Sequence, residues 1–183
     1  SLMATVLVPL AQGCEELEAV TIIDLLRRAG LTVVVAGLEA GTVTASRGVM
    51  LLPETTLAEV LDQDFDMVVL PGGLGGAQRL EADRRIAALL RRMAEQGRYV
   101  AAICAAPRVL AGAGLLDNRE ATAYPGILDG QEGIKTSSAA VVRDGTFITS
   151  RGPGTAMDFA LTLIEILCGR GQRDTVEAAL QRS

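Results

Sequence analysis

The stretch Tyr99-Val100-Ala101-Ala102-Ile103-Cys104-Ala105-Ala106-Pro107 decides the fold of this chain. Its first five residues form a continuous apolar run of strand length. A strand that is apolar throughout, not alternately, buries both faces, as strands do in a parallel sheet held between two helix layers. Pro107 suits the first turn of a helix, where a backbone N–H is not needed. Strand, cysteine and helix therefore follow one another within nine residues.

The same grammar extends in both directions. Thr5–Leu10, Leu31–Ala36 and Met67–Leu70 are further apolar strands. Glu15–Ala29 has helical spacing with Gly30 as its stop, Ala77–Gln96 reads as one charged helix, and Ala106–Leu116 as another. Residues 42–52 read as short strands turning at Arg47-Gly48. Residues 139–150 read as a hairpin turning at Arg143-Asp144-Gly145. Thr155–Gly169 and Asp174–Gln181 close the chain as helices. This order predicts an α/β sandwich with a mostly parallel, doubly wound sheet. Ligands of such sheets sit at the carboxyl ends of the strands. That rule selects the loops after Leu10 and Leu70 and the residue after Ile103.

The chain has 183 residues, enough for one domain with its own core, expected to span residues 3–183. Ser1 and Leu2 read as a vector remnant before a native start at Met3. A hydrophobic content of 49% and a mean hydropathy of +0.33 exclude a disordered chain. The net charge of −5, aromatic content of 3% and absence of Trp give no footprint for nucleic acid. No apolar run reaches membrane length. Three cysteines, Cys14, Cys104 and Cys168, are too few and too scattered for a disulfide framework and suit a reducing cytoplasm.

The count of histidines is zero, and this narrows the chemistry most. The chain cannot supply a Ser-His-Asp triad, a Cys-His dyad or a histidine-based zinc site. Proton transfer falls to carboxylates, Tyr, Lys, Cys or water. Cys104, on a strand-to-helix turn, has the outline of the GxSxG elbow of hydrolases with alanines in place of the flanking glycines. Near a helix N-terminus, a thiol is expected to have the lowest pKa of the three. The other reading is a buried structural cysteine at a strand end, and position alone does not separate the two.

Pro71-Gly72-Gly73-Leu74-Gly75-Gly76 follows the strand Met67–Leu70. Its glycines are suited either to a tight turn or to presenting backbone N–H groups to an oxyanion. It lacks both the P-loop lysine and the third glycine of the dinucleotide fingerprint. Glu18 shares a helical stripe with Ile22, Leu25 and Ala29, so it points inward with a raised pKa expected. Glu15 reads as a cap, Glu16 as solvated, and Asp24 with Arg28 as an exposed i,i+4 pair. The loop Thr149-Ser150-Arg151-Gly152-Pro153-Gly154-Thr155 either connects strand to helix or lets backbone approach a substrate. Thr155 and Asp158 have capping-box spacing.

These motifs, with Glu15-Glu16-Leu17-Glu18, Arg27-Arg28-Ala29-Gly30 and Val69-Leu70-Pro71-Gly72-Gly73, resemble the ThiJ/PfpI superfamily. The resemblance is to its DJ-one/YajL-like branch and runs from about Thr5 to Gly169. It implies a flavodoxin-like three-layer sandwich and a homodimer. It places the nucleophile on Cys104, its acidic partner on Glu18, and the backbone oxyanion site on Gly72, Gly73 and Ala105. Glu15, Arg27, Arg28, Arg47, Tyr124, Arg151, Gly152 and Pro153 fall near the pocket or the dimer seam. Two departures stand out: Tyr124 occupies a position where such proteins often carry His, and Cys14 one where they often carry a small residue.

The implied activity is that of a cofactor-independent and metal-free glyoxalase or deglycase. It would act on methylglyoxal, glyoxal or glycated amines and thiols. The alternatives are a peroxide-sensing redox protein or chaperone, the thiazole monophosphate biosynthesis that the ThiJ name suggests, and a cysteine amidase or peptidase. No phosphate loop supports the third, and no histidine supports the fourth.

Overall fold

The computed structural model describes residues 3–183; Ser1 and Leu2, read as a vector remnant, lie outside the described residues. The first half of the chain runs β1 (Thr5–Leu10), α1 (Glu16–Arg28), β2 (Thr32–Gly37), β3 (Val43–Thr44), β4 (Met50–Leu51), β5 (Thr55–Thr56), α2 (Leu57–Val60) and β6 (Met67–Leu70). The second half runs α3 (Leu74–Ala82), α4 (Arg84–Glu95), β7 (Tyr99–Ile103), α5 (Pro107–Gly112), β8 (Glu120–Ala121), β9 (Lys135–Thr136), β10 (Val141–Asp144), β11 (Phe147–Ser150), α6 (Ala156–Cys168) and α7 (Arg170–Ala179). Among the described residues no helix is long and apolar enough to cross a membrane.

The main sheet has the order β10-β11-β7-β6-β1-β2-β5, and every pairing is parallel except the β10–β11 hairpin at one edge. Alternate strand residues feed two separate cores. Val6, Val8, Val69, Ala101 and Ile103 pack with α1 and α6 on one face. Leu7, Val68, Leu70, Val100 and Ala102 pack with α2 to α5 on the other. This two-sided burial is the physical reason the strands read as unbroken apolar runs.

The chain leaves β1 toward β2 on one side and returns on the other through β6 and β7, so the sheet changes winding direction beside β1. The order β11-β7-β6-β1 brings the loops after Ser150, Ile103, Leu70 and Leu10 side by side. The predicted carboxyl-end loops are thus neighbours in space.

Several boundaries differ from expectation. The helix expected over 77–96 is two helices, because Asp83 takes an extended backbone and caps α4 by accepting from the Arg85 N–H at 2.9 Å. The helix expected over 106–116 ends as α5 at Gly112. Thr155 is not boxed with Asp158. Its hydroxyl meets the Ser150 hydroxyl at 2.7 Å and accepts from the Gly152 N–H at 3.1 Å, while Asp158 pairs with Arg182. The edge strand β5 and the short α2 carry no clear periodic signal.

Candidate active site

Glu18 is placed by α1, whose inward stripe of Glu18, Ile22, Leu25 and Ala29 is buried as its spacing requires. The Glu15 side chain caps this helix and also accepts from the Ser46 hydroxyl at 2.8 Å. Glu18 is fully buried. Its Oε1 accepts from the Gly72 N–H at 2.8 Å, while Oε2 is buried without a hydrogen bond of normal geometry. The Cys104 thiol is the side chain placed to supply one. Burial raises the Glu18 pKa from 4.5 to about 7, against the pull of the Gly72 amide and the Cys104 thiol.

Cys104 sits where β7 ends. Its φ is +66°, in the left-handed region that a β-carbon disfavours. The surrounding chain holds it there: its N–H donates to the Ser150 carbonyl at 2.9 Å and its carbonyl accepts from the Tyr124 N–H at 2.8 Å. The backbone N–H groups of Gly73 and Ala105 face the sulfur and favour thiolate.

The expectation that Cys104 has the lowest thiol pKa is overturned. Burial first, then the charge of Glu18 and its hydrogen bond, push the thiol up to about 12, above Cys14 at about 11. The six-residue α5 begins only at Pro107, and the two amides do not outweigh burial. Part of this rise, beyond burial, comes from an ionised Glu18. When Glu18 holds the proton the repulsion disappears, and its O–H favours the thiolate. The two groups titrate as one coupled buried pair that carries at most one charge below the pKa of the thiol.

Of the three backbone donors expected for an oxyanion, Gly72, Gly73 and Ala105, only the last two remain available. Gly72 cannot offer its N–H to a substrate, because Glu18 already takes it. The free donors are those of Gly73 and Ala105, and both residues line a cavity of about 580 Å³ that also exposes Cys104, Arg47, Tyr124 and Pro153. Gly72 is nonetheless indispensable sterically: a Cβ there would lie 2.5 Å from Glu18 Oε1 and 2.6 Å from Cys104 Cβ. At Gly73, φ is +85° and a Cβ would lie 2.5 Å from the Gly13 carbonyl oxygen.

Other residues fall elsewhere. Arg27 bonds the Val33 carbonyl and Glu54, and Arg28 pairs with Asp24. Both stand at the far end of α1, about 14–15 Å along its axis from Glu18 at 1.5 Å per residue, and neither lines the Cys104 cavity of this chain. Glu16 is not solvated. It is buried and accepts from the Arg47 N–H at 3.0 Å, the Val49 N–H at 3.2 Å and the Ser46 hydroxyl at 3.0 Å. Burial opposes its charge, but these donors prevail and hold its carboxyl below the usual range. The contact was missed because nothing in α1's periodicity announces a loop folding over its first turn. Leu74 and Ile127 also line the cavity and had no signal beyond their neighbours. Among the described residues, no three His, Cys, Asp or Glu side chains gather as metal ligands.

A cysteine on a strained strand-to-helix elbow, beside a buried carboxyl at the carboxyl edge of a mostly parallel sheet, defines an elbow-bearing flavodoxin-like α/β protein. Residues 4–166 match the DJ-1/PfpI family, and the chain belongs to it. It is 45% identical over 177 residues to Protein dj-1beta of Drosophila melanogaster, covering 95% of each. The crystal structure of that fly protein superposes with a TM-score of 0.96 at 44% identity over the full length of both chains. The chain is also 35% identical over 168 residues to the glutathione-independent glyoxalase DJR-1.2 of Caenorhabditis elegans, covering 91% of this chain and 89% of that one. Oxidized Toxoplasma gondii DJ-1 superposes with a TM-score of 0.93 at 39% identity, covering 98% and 99%.

Proposed function

We propose that the chain is a cofactor-independent glyoxalase of the cytoplasm that converts methylglyoxal and related α-ketoaldehydes to 2-hydroxy acids, and acts on their early amine and thiol adducts. The observation that carries this reading is the buried Cys104–Glu18 pair with two free N–H groups facing the sulfur. The glyoxalase name of the nematode relative supports it.

The chemistry follows from the shared proton. Cys104 passes its proton to Glu18 and the thiolate attacks the aldehyde carbon, giving a hemithioacetal. The Gly73 and Ala105 amides hold the oxyanion until Glu18 returns the proton to it. Glu18, now ionised, removes the hydrogen from the aldehyde carbon, and the resulting enediol collapses to a thioester as the proton arrives on the neighbouring carbon. Water cleaves the thioester and releases lactate and the thiol. The redox change is internal to the substrate, so no external oxidant or nucleotide is consumed. Lactate release from methylglyoxal is expected to fall at least a hundredfold in Cys104→Ser, with glycated-amine release assayed separately. Full turnover by that variant overturns the assignment.

A second reading, peroxide sensing, is favoured by the buried Glu18 carboxyl, whose Oε2 has no partner of normal geometry and whose side chain interacts with the Cys104 thiol. Each of two peroxide molecules gives one oxygen to Cys104 and leaves as water, forming sulfenate and then sulfinate. A protonated Glu18 donates to the product. Intact mass after mild peroxide should show less sulfinate in Glu18→Asp, whose shorter arm withdraws the donor. Identical product distributions in the two proteins remove Glu18 from this role.

We also propose a homodimer through α1 and the β3–β4 hairpin. Val20, Met50 and Leu52 expose 47%, 69% and 78% of their surface there, with Leu17 beside them. Arg27 and Arg28 flank this face, on the seam and away from the pocket. Sedimentation at micromolar concentration should give the dimer mass, with a shift to monomer in Met50→Asp; a wild-type monomer at that concentration rejects the seam.

A further inference from the structure

Beside the Cys104 cavity lies a second cavity of about 290 Å³, and the two share Tyr124 as a wall. Two chain segments line both. In residues 123–128, Ile127 faces the first cavity while Ala123, Gly126 and Leu128 face the second. In the loop after β11, Pro153 faces the first and Arg151 the second. Tyr124 is 52% exposed, so the partition between the two cavities is open toward solvent.

The second cavity is apolar at its base, where Ala121 and Leu128 are buried, and charged at its rim. Arg151 and Asp129 both line it, yet they form no ion pair with each other or with any other group among the described residues. The Arg151 guanidinium is steadied instead by donating to the Ser138 carbonyl at 2.6 Å, across the cavity wall. The Asp129 carboxylate lies beside Gly126, with Oδ2 3.9 Å from where a Gly126 Cβ would be. Thr136 and Ser137 also line this cavity. The volume is that of about ten waters at roughly 30 Å³ each. That suits an amino-acid backbone, not a macromolecule.

We infer that this cavity is a subsite for the zwitterionic end of an amino acid, with Arg151 receiving the carboxylate and Asp129 the ammonium. A ligand seated there and extending past Tyr124 presents its side-chain end to Cys104. For the identity of that reactive end the inference rests on the carbonyl reading of the Cys104 cavity, and its substrate class is then an α-ketoaldehyde adduct carried on a free amino acid. A bare ketoaldehyde fills the first cavity alone and makes no use of the second. The two opposite charges discriminate against an acylated and amidated residue, such as one inside a polypeptide, because both would then face a neutral backbone.

The test uses a stable thioether, S-(2-hydroxypropyl)-L-cysteine, which has the shape of the three-carbon adduct but cannot decompose. Its N-acetyl amide has the same side chain and neither charge. Calorimetric binding is measured on the full chain carrying Cys104→Ala, so that turnover plays no part. The zwitterion is expected to bind at least tenfold more tightly than the neutral analogue. Arg151→Ala and Asp129→Asn are each expected to erase most of that difference while leaving the neutral analogue's affinity where it was. Arg151→Lys, which keeps the charge, guards against a folding defect and should retain part of the preference. Equal binding of the two analogues, no binding of either, or a preference that survives both variants overturns the subsite. If wild-type chain fails to turn over methylglyoxal but the preference holds, the carbonyl reading falls and the subsite stands. If it turns over methylglyoxal but shows no preference, the carbonyl reading stands and the subsite falls.

Discussion

Glu18→Gln is expected to make the protein more stable and far less active. Folding raises the Glu18 pKa from 4.5 to about 7 because burial disfavours the charged carboxylate. The folded chain therefore binds a proton that the unfolded chain has lost across that interval. Below about pH 4.5 the carboxyl is neutral in both states, and wild type and variant should match. As the pH climbs through the interval the wild type loses stability, and above pH 7 the deficit is constant. At about 1.36 kcal/mol per pKa unit it reaches about 3 kcal/mol. Gln keeps an acceptor for the Gly72 N–H and does not titrate, so denaturant unfolding at pH 8 should show a gain of that order that is absent at pH 4.5. In the same variant kcat for methylglyoxal should fall by about 10²–10⁴, the usual weight of a general acid–base group. A variant whose stability advantage does not depend on pH would contradict the buried, titrating carboxyl. One that keeps full kcat would remove Glu18 from the chemistry. Tyr124→Phe, by contrast, should alter KM more than kcat, because the ring walls the cavity and its backbone, not its phenol, bonds Cys104.

Gly72→Ala should melt the site. The added methyl would lie 2.5 Å from Glu18 Oε1, 2.6 Å from Cys104 Cβ and 2.8 Å from the Ile103 carbonyl oxygen. Two of these three neighbours belong to the residues that set the elbow, and Glu18 is fully buried. The loss should stand at or above the top of the usual overpacking range of about 1–3 kcal/mol. For a chain of this size that lowers Tm by roughly 6–12 °C. Gly154→Ala is the matched control, since nothing lies within 4 Å of its added methyl; its Tm should stay close to wild type. Equal melting temperatures for Gly72→Ala and wild type would mean that Glu18 and Cys104 do not converge on this glycine.

Two of these residues show how differently the site's parts are written in the chain. Glu18 is legible because a carboxylate in register with Ile22, Leu25 and Ala29 must turn inward whatever lies beyond. Glu16, two residues earlier, is illegible for the complementary reason. Its burial comes from the Ser46–Val49 turn folding over the first turn of α1, and no local pattern in either segment records that meeting.

The unbroken apolar runs at Thr5–Leu10, Met67–Leu70 and Tyr99–Ile103 determine by themselves a parallel sheet covered on both faces. With Pro107 after Cys104 they also determine a cysteine on an elbow at its carboxyl edge. Short-range sterics and hydrophobic periodicity set these features within a few residues, so they survive without knowledge of the rest. Which backbone donors remain free at the sulfur, and which way the Cys104–Glu18 proton leans, were decided only when strands β7, β6 and β1 came together. That packing gave the Gly72 N–H to Glu18, left those of Gly73 and Ala105 to the sulfur, and raised both pKa values by burial. Hydrogen-bond allocation and desolvation depend on groups from separate parts of the chain, Glu18, Gly72-Gly73 and Cys104, and only the assembled sheet brings them within reach.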